Sequence, residues 1–222
     1  IKDITHQLIQ IIGNMYPIAD KEIRQYSERI LEALTAEQLQ DILIRKYSYA
    51  DKIKAKIRLH ADAYAEEQFN DMVKIGKVFV KPNWKLPDAI VPGQLGGSIS
   101  KSLYEREGSM NKFEEQIALE IGTSSKIEFW HRNLGRGKGF YINGFKSNHY
   151  PDFIMMTKSG KTILIETKGD HLDNADSAAK CRLGREWENQ SGHDFAYFMI
   201  FDKKEIDGAY TLEKAKDLIG KM

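Results

Sequence analysis

The stretch that decides the fold runs from residue 150 to residue 169 and reads YPDFIMMTKSGKTILIETKG. Two short apolar runs flank a polar turn at residues 158–161, and this arrangement predicts a β-hairpin. Side chains alternate between the two faces of a strand, so we expect Glu166 and Lys168 to project to the same side. Asp152 opens the first strand and can lie beside Glu166 across the pair. The hairpin therefore predicts two carboxylates and one ammonium group at one end of a sheet.

This group of charges fits poorly in a purely structural sheet. Two carboxylates held close together repel each other, and burying either one without a partner costs free energy. A divalent cation removes the conflict, because Mg²⁺ takes carboxylate oxygens, keeps several waters and can share a substrate phosphate. We expect Asp152 and Glu166 to hold Mg²⁺, with Mn²⁺ as a substitute, and Lys168 to position water or neutralise the phosphate. The competing interpretation is an exposed salt bridge, which contributes only about 0–1 kcal/mol.

The rest of the chain divides into a helical part and an α/β part. Apolar residues at helical spacing predict helices over most of the first 75 or so residues, including one capped by Thr35 with Gln38 and one over residues 51–73. Prolines and glycines then concentrate between residues 81 and 100, just after a strand-like run at residues 78–80. We therefore predict a helical region over residues 1–100 and a second domain over residues 101–222.

The second domain shows alternating helix and strand patterns. They predict, in order, a helix at 112–121, strands at 126–131, 139–145, 152–157 and 162–167, a helix at 174–189, a strand at 195–201 and a helix at 212–219. A helix, three or four strands, a second helix and a further strand predict an α/β fold with a mixed sheet flanked by helices.

Composition excludes several classes of protein. No apolar run approaches the roughly 20 residues that span a bilayer, and the single cysteine, Cys181, excludes an internal disulfide and a cysteine-cluster zinc site. We therefore expect a cytoplasmic protein with no membrane partner. The net charge of +1 argues against a uniformly basic nucleic-acid binder. Residues 126–150, however, carry five cations against the single anion Glu128, a candidate phosphate-facing patch that solvated surface explains equally well.

The residues of the hairpin match the signature of the PD-(D/E)XK nuclease superfamily, Pro151-Asp152 followed by Glu166-Thr167-Lys168. Together with WHRN at 130–133 and GRGKG at 135–139, they resemble the nuclease region at the C-terminus of type III restriction enzyme Res subunits. The resemblance covers about residues 112–201. It implies a restriction-endonuclease-like core with the element order αβββαβ.

The resemblance also implies an activity and partners. It implies Mg²⁺-dependent endonuclease cleavage of double-stranded DNA by in-line attack of water, leaving a 5′-phosphate. It further implies an upstream helicase domain in the same chain, which would use ATP, and a methyltransferase subunit that reads the recognition sequence. Because the chain begins at Ile1 rather than Met, we expect a fragment of a longer protein, with the helical region linking motor to nuclease.

Further site residues follow from the same resemblance. Nucleases of this superfamily often add a carboxylate from the helix before the sheet, and Glu114 is the candidate for a further metal ligand. Asn111 lies three residues earlier, however, and a capping box explains the pair equally well. The candidate DNA contacts are Arg132, Arg136, Lys138 and Lys146 of the basic patch, together with Lys180, which the resemblance places near the site and which an ordinary exposed helical lysine explains equally well.

The sequence is also compatible with two other functions. One is a nuclease fold that binds DNA or acts as a scaffold without cutting, against which the intact Asp, Glu and Lys weigh. The other is the nuclease of a DNA repair or phage-defence helicase, which the sequence upstream would distinguish from a restriction system.

Overall fold

The computed structural model describes residues 1–80, 85–172 and 174–222, which form two compact units, Ile1–Asp71 and Met72–Met222. We predicted a boundary at residue 100, so the observed division lies about 30 residues earlier. The reason is packing: Leu86 and Ile99 lie against the two apolar cores of the second unit. Of the proline- and glycine-rich segment, residues 81–84 lie outside the described residues.

The first unit is helical, as the periodicity predicts. Its helices are α1 (Lys2–Ile12), α2 (Asp20–Glu32), α3 (Ala36–Ile44) and α4 (Lys46–Lys74), of which the last three residues belong to the second unit. The predicted cap of α3 is confirmed, because Thr35 Oγ1 accepts from the N–H of Gln38 while Gln38 Oε1 accepts from the N–H of Thr35. The buried side chains of this unit come from all four helices and form one apolar cluster.

The second unit is an α/β fold with a five-stranded mixed sheet, in agreement with the sequence. Its elements are α5 (Lys112–Ile117), a π-helical turn (Ala118–Gly122), β1 (Ile127–Arg132), β2 (Phe153–Thr157), β3 (Thr162–Lys168), α6 (Ala175–Ser191), β4 (Phe195–Phe201), β5 (Tyr210–Thr211) and α7 (Leu212–Gly220). The strands lie in the order β1-β2-β3-β4-β5. The pairs β1–β2 and β2–β3 are antiparallel, whereas β4 lies parallel to β3 and β5 parallel to β4.

Each face of the sheet packs against different helices. Phe153, Ile163 and Ile165 join the cluster that includes residues of α5 and α7. Ile154 and Leu164 join the opposite cluster, which includes Cys181 and Trp187 of α6. Because side chains alternate along a strand, the positions two and four residues after Leu164 face the α6 side. Glu166 and Lys168 occupy those positions.

Two predicted strands are wrong. Residues 78–80 form no strand, and residues 139–145 form a loop with one isolated bridge, Ile142 to His149. The side chain of Asn133 takes the backbone hydrogen bonds that a strand would have used at Phe140, donating to its carbonyl and accepting from its N–H. At Gly139, a Cβ would fall 1.8 Å from the carbonyl oxygen of Leu134, so this loop requires glycine there.

A segment before α5 covers the outer edge of the sheet. The N–H of Trp130 in β1 donates to the carbonyl of Lys101, and the carbonyl of Trp130 accepts from the N–H of Leu103. The Lys101 ammonium group also donates to the carbonyl of Ile127. Residues 101–103 therefore belong structurally to the sheet. Among the described residues, no helix has the length and apolar character needed to cross a bilayer.

Candidate functional site

The three residues predicted from the hairpin lie at one end of β2 and β3. The register pairs Phe153 with Ile165, so extending it by one residue brings Asp152 opposite Glu166. Thr167 fixes the Asp152 carboxylate, because both its backbone N–H and its hydroxyl donate to Oδ2 at 2.7 Å. Among the described residues, no hydrogen bond reaches the other oxygen, Oδ1. Asp152 thus presents one oxygen that is held and one that is available.

Glu166 is the most enclosed carboxylate of the site. Its side chain is buried, with a relative exposure of 6%, and Oε1 lies 2.6 Å from the ammonium nitrogen of Lys168. The other oxygen, Oε2, is buried without a hydrogen-bond partner among the described residues. A buried polar atom in this state costs free energy unless an unseen partner takes it up.

The electrostatics of the site oppose two ionised carboxylates. Burial and the nearby Asp152 carboxylate raise the pKa of Glu166 to about 8, although the adjacent Lys168 lowers it in part. Burial also raises the pKa of Asp152, against the two hydrogen bonds from Thr167. Burial alone would lower the pKa of Lys168, but Glu166 and then Asp152 raise it above its ordinary value. When both carboxylates are ionised, the Lys168 ammonium group therefore offsets only one of their two negative charges.

The donor set fits a hard divalent cation. Oxygen atoms from one or two carboxylates, completed by water, are what Mg²⁺ usually takes from a protein. The partnerless Oε2 of Glu166 and the uncommitted Oδ1 of Asp152 meet this requirement. The described residues contain no group of three or more aspartate, glutamate, histidine or cysteine side chains arranged to hold a metal.

Glu114 performs the capping role that the sequence left open. Its Oε2 accepts from the N–H of Asn111, and Asn111 Oδ1 accepts from the N–H of Glu114. The same carboxylate pairs with Arg132, whose Nη2 lies 3.0 and 3.1 Å from its two oxygens. Glu114 still lies close enough to raise the pKa of Asp152. Its service as a metal ligand stays a prediction.

The candidate DNA contacts differ in their surroundings. Lys180 of α6 pairs with Asp176 at 2.8 Å and lowers the pKa of Glu166, so it lies near the site. Lys146 and Lys180 line one narrow cavity together with His149. Arg136 and Lys138 are exposed in the loop after β1. Contact of any of these cations with DNA stays a prediction.

Comparison with known proteins adds no family to this geometry. No protein-family model, curated protein or solved structure matches the chain. The resemblance to PD-(D/E)XK nucleases therefore depends on the residues of the chain and on their arrangement.

Thr167 and Tyr197 support the site without belonging to a binding motif, and His149, which flanks the basic patch, is a buried histidine. Thr167 occupies the variable position between Glu166 and Lys168 in the sequence pattern, and its hydroxyl group is the only local signal for the contact with Asp152. His149 is buried and Tyr197 donates to or accepts from its Nε2 at 2.9 Å. Burial, Lys180 and Lys168 lower the pKa of His149 to about 3, so this imidazole is neutral at physiological pH. No short sequence motif links positions 149 and 197.

Proposed function

We propose that this protein is a Mg²⁺-dependent DNA endonuclease with a restriction-endonuclease-like core. The observation that supports this proposal is the buried Glu166 carboxylate beside Asp152. One of its oxygens pairs with Lys168, and the other has no hydrogen-bond partner in the described part of the chain. A structural salt bridge does not need the second carboxylate, whose repulsion raises the pKa of Glu166. A cation-binding centre does need it.

Each residue has a role that its contacts support. Asp152 Oδ1 and Glu166 Oε2 would hold the cation, while Thr167 keeps Asp152 in a fixed orientation. When bound, Mg²⁺ would offset the two carboxylates and withdraw charge from a phosphate group. Lys168 keeps its proton, because its pKa is raised, and can hold water or a phosphate oxygen beside Glu166. Glu114 acts through Arg132 and its helix cap, with direct ligation as the alternative.

The substrate and partners come from the resemblance. Double-stranded DNA is the proposed substrate, and an upstream ATP-driven helicase domain with a methyltransferase subunit is the proposed assembly. The order α5-β1-β2-β3-α6-β4 agrees with the implied αβββαβ core. The nuclease of a repair or phage-defence helicase would have the same chemistry in a different assembly.

The first experiment is a metal titration by calorimetry with Mg²⁺ and Mn²⁺, followed by plasmid cleavage. We compare the parent with Asp152→Asn, Glu166→Gln and Lys168→Ala. The matched control is Glu128→Gln, because Glu128 is an exposed carboxylate on the neighbouring strand β1. We expect the first two substitutions to abolish metal binding and cleavage. Lys168→Ala should retain metal binding and lose cleavage, and Glu128→Gln should resemble the parent.

The outcomes separate the proposed function from its alternatives. Metal binding that depends on Asp152 without cleavage by the isolated chain would indicate a competent centre that needs its motor or partner subunit. Metal binding that is absent, or unaffected by Asp152→Asn, would refute the nuclease proposal. DNA binding that persisted in that case would favour a DNA-binding or scaffolding module.

A further inference from the structure

A polar cavity of about 300 Å³ lies next to the candidate metal centre in the second unit. Its wall includes Arg132 and Asn133 from the end of β1, together with Gly93, Gly108 and Gly135. Asn133 connects it to the site, because its backbone N–H donates to the carbonyl of Asp152 at 2.8 Å. Among the described residues that line the cavity, Arg132 alone carries a formal charge.

The guanidinium group of Arg132 has donors to spare. Nη2 pairs with Glu114 and Nη1 donates to the carbonyl of Asn133, while Nε is buried without a partner among the described residues. A guanidinium group has five N–H donors, so these contacts leave several unused. The side chain is 23% exposed, so a ligand oxygen can approach its edge. Glu114 holds the guanidinium in place at the other side.

Because glycine has no side chain, the glycines in the cavity wall leave the backbone uncovered. A Cβ at Gly93 or Gly135 would meet no atom within 4 Å, so open space adjoins both residues. At Gly108 a Cβ would lie 3.9 Å from the aliphatic stem of Arg132. The cavity thus offers a cationic fork surrounded by small residues, a setting that suits a tetrahedral oxyanion and its bidentate contacts with arginine.

We propose that the Arg132 cavity binds a phosphate group of the DNA strand adjacent to the bond held at Asp152 and Glu166. The identification of DNA as the source of the phosphate rests on the proposed function, whereas the phosphate site itself does not. Contacts to phosphates set the register of a protein on nucleic acid, so the cavity would position the strand rather than read its sequence.

The test uses an isosteric pair of variants that leaves the Arg132–Glu114 pair intact. Gly93→Asp places an anion at the cavity, and Gly93→Asn places a neutral group of equal size. Both substitutions have open space, and the φ angle of Gly93 is not in the left-handed region. Binding of a labelled DNA duplex is measured by fluorescence anisotropy without divalent metal, so that no cleavage occurs. We expect Gly93→Asp to bind about tenfold more weakly than Gly93→Asn.

A second variant measures the phosphate contact directly. Arg132→Gln should lower the slope of log K against log salt concentration by about one, the value for one lost phosphate contact. The control is Lys158→Gln, because Lys158 is exposed at the turn between β2 and β3, at the far end of both strands. This control should leave the slope unchanged. Thermal unfolding of every variant shows whether it is folded.

Nuclear magnetic resonance of the Arg132 Nε–H group distinguishes the two sources of phosphate. Saturating DNA should shift this signal, and millimolar inorganic phosphate should shift it in the same direction. Equal DNA binding by the Gly93 pair, or an unmoved Nε–H signal, would overturn the proposal. A signal that responds to inorganic phosphate and not to DNA would also overturn it. The loss of metal binding in Asp152→Asn tests the nuclease proposal separately. A failure of the phosphate-site proposal is therefore distinguishable from a failure of the nuclease proposal.

Discussion

At the scale of single residues, metal binding at the candidate site depends on the protonation of Glu166. Glu166 has a pKa near 8 in the folded chain against an ordinary value near 4.5, so at neutral pH without metal it is largely protonated. The proton then performs the charge compensation that a cation would provide. A divalent cation must displace it, and metal affinity should therefore rise as the pH approaches 8.

The free energy of unfolding should record this proton. Between pH 4.5 and about 8, folded Glu166 holds a proton that the unfolded chain has released, so stability falls as pH rises. Glu166→Gln carries no titrating proton, so the stability of the parent should fall relative to that of the variant as pH rises from 4.5 to about 8, by up to about 1.4 kcal/mol per pH unit. Urea unfolding in metal-free buffer at several pH values measures it. Parallel curves for parent and variant would contradict the assignment, and Glu128→Gln should follow the parent.

Thr167 offers a second prediction at this scale. Thr167→Val keeps the backbone donor to Asp152 and removes the hydroxyl donor. A hydrogen bond from a neutral donor to a charged group contributes about 1.5–3 kcal/mol. We therefore expect metal affinity near pH 7 to fall by about tenfold or more. Calorimetry checks this. The control is Thr157→Val, since Thr157 is a buried threonine that bonds within the β2–β3 turn. Equal affinities for both variants would remove Thr167 from the site.

At the scale of secondary-structure elements, the packing of α6 against β4 supports the candidate site. Tyr197 of β4 is fully buried, contacts His149 and faces Gly184 of α6. A Cβ at Gly184 would lie 2.2 Å from the tyrosine ring. The glycine in mid-helix therefore allows α6 to approach the sheet closely, although glycine is the weaker helix former.

Gly184→Ala should consequently destabilise the fold, although alanine has a higher helix propensity than glycine. Overpacking of this kind costs about 1–3 kcal/mol, more than the roughly 1 kcal/mol that alanine contributes to a helix. Gly220→Ala is the control, because Gly220 ends α7 and a Cβ there meets nothing within 4 Å. Thermal unfolding compares the two variants. A more stable Gly184→Ala would show that α6 does not depend on this close approach.

The sequence predicted most of these elements because local signals determine them. The hairpin follows from two apolar runs around a polar turn, β4 follows from a continuous apolar run, and the Thr35 cap follows from the three-residue spacing to Gln38. Residues 139–145 carry aromatic and β-branched residues typical of a strand, but the side chain of Asn133, seven residues before Phe140, takes the backbone hydrogen bonds of Phe140. The capping role of Glu114 was accessible from Asn111, three residues earlier, whereas its ion pair with Arg132 was not, because Arg132 belongs to another element.

At the scale of the whole molecule, the contacts of residues 86–100 argue against a domain boundary at residue 100. Leu86 and Ile99 pack against the two cores of the second unit, and Trp130 Nε1 donates to the carbonyl of Ser100. His131 and Glu107 add a buried pair at 2.9 Å. The segment before α5 is thus part of the fold that supports the candidate site.

Two truncations test this inference. A fragment of residues 72–222 should unfold cooperatively and keep Asp152-dependent metal binding, because it contains the complete second unit. A fragment of residues 101–222 should be less stable by several kcal/mol, since it loses Leu86, Ile99 and the acceptor of Trp130. Circular dichroism melts and calorimetry compare them. Equal melting temperatures would restore the boundary at residue 100.

The cover over β1 also governs how copies of the protein meet. Residues 101–103 occupy backbone donors and acceptors on an edge strand that would otherwise offer them to another chain. This short segment, held in place by the Lys101 ammonium group, thereby blocks the pairing of another chain with the β1 edge of the sheet. Loosening it would leave the N–H and carbonyl groups of Trp130 open to pairing with a strand of another chain.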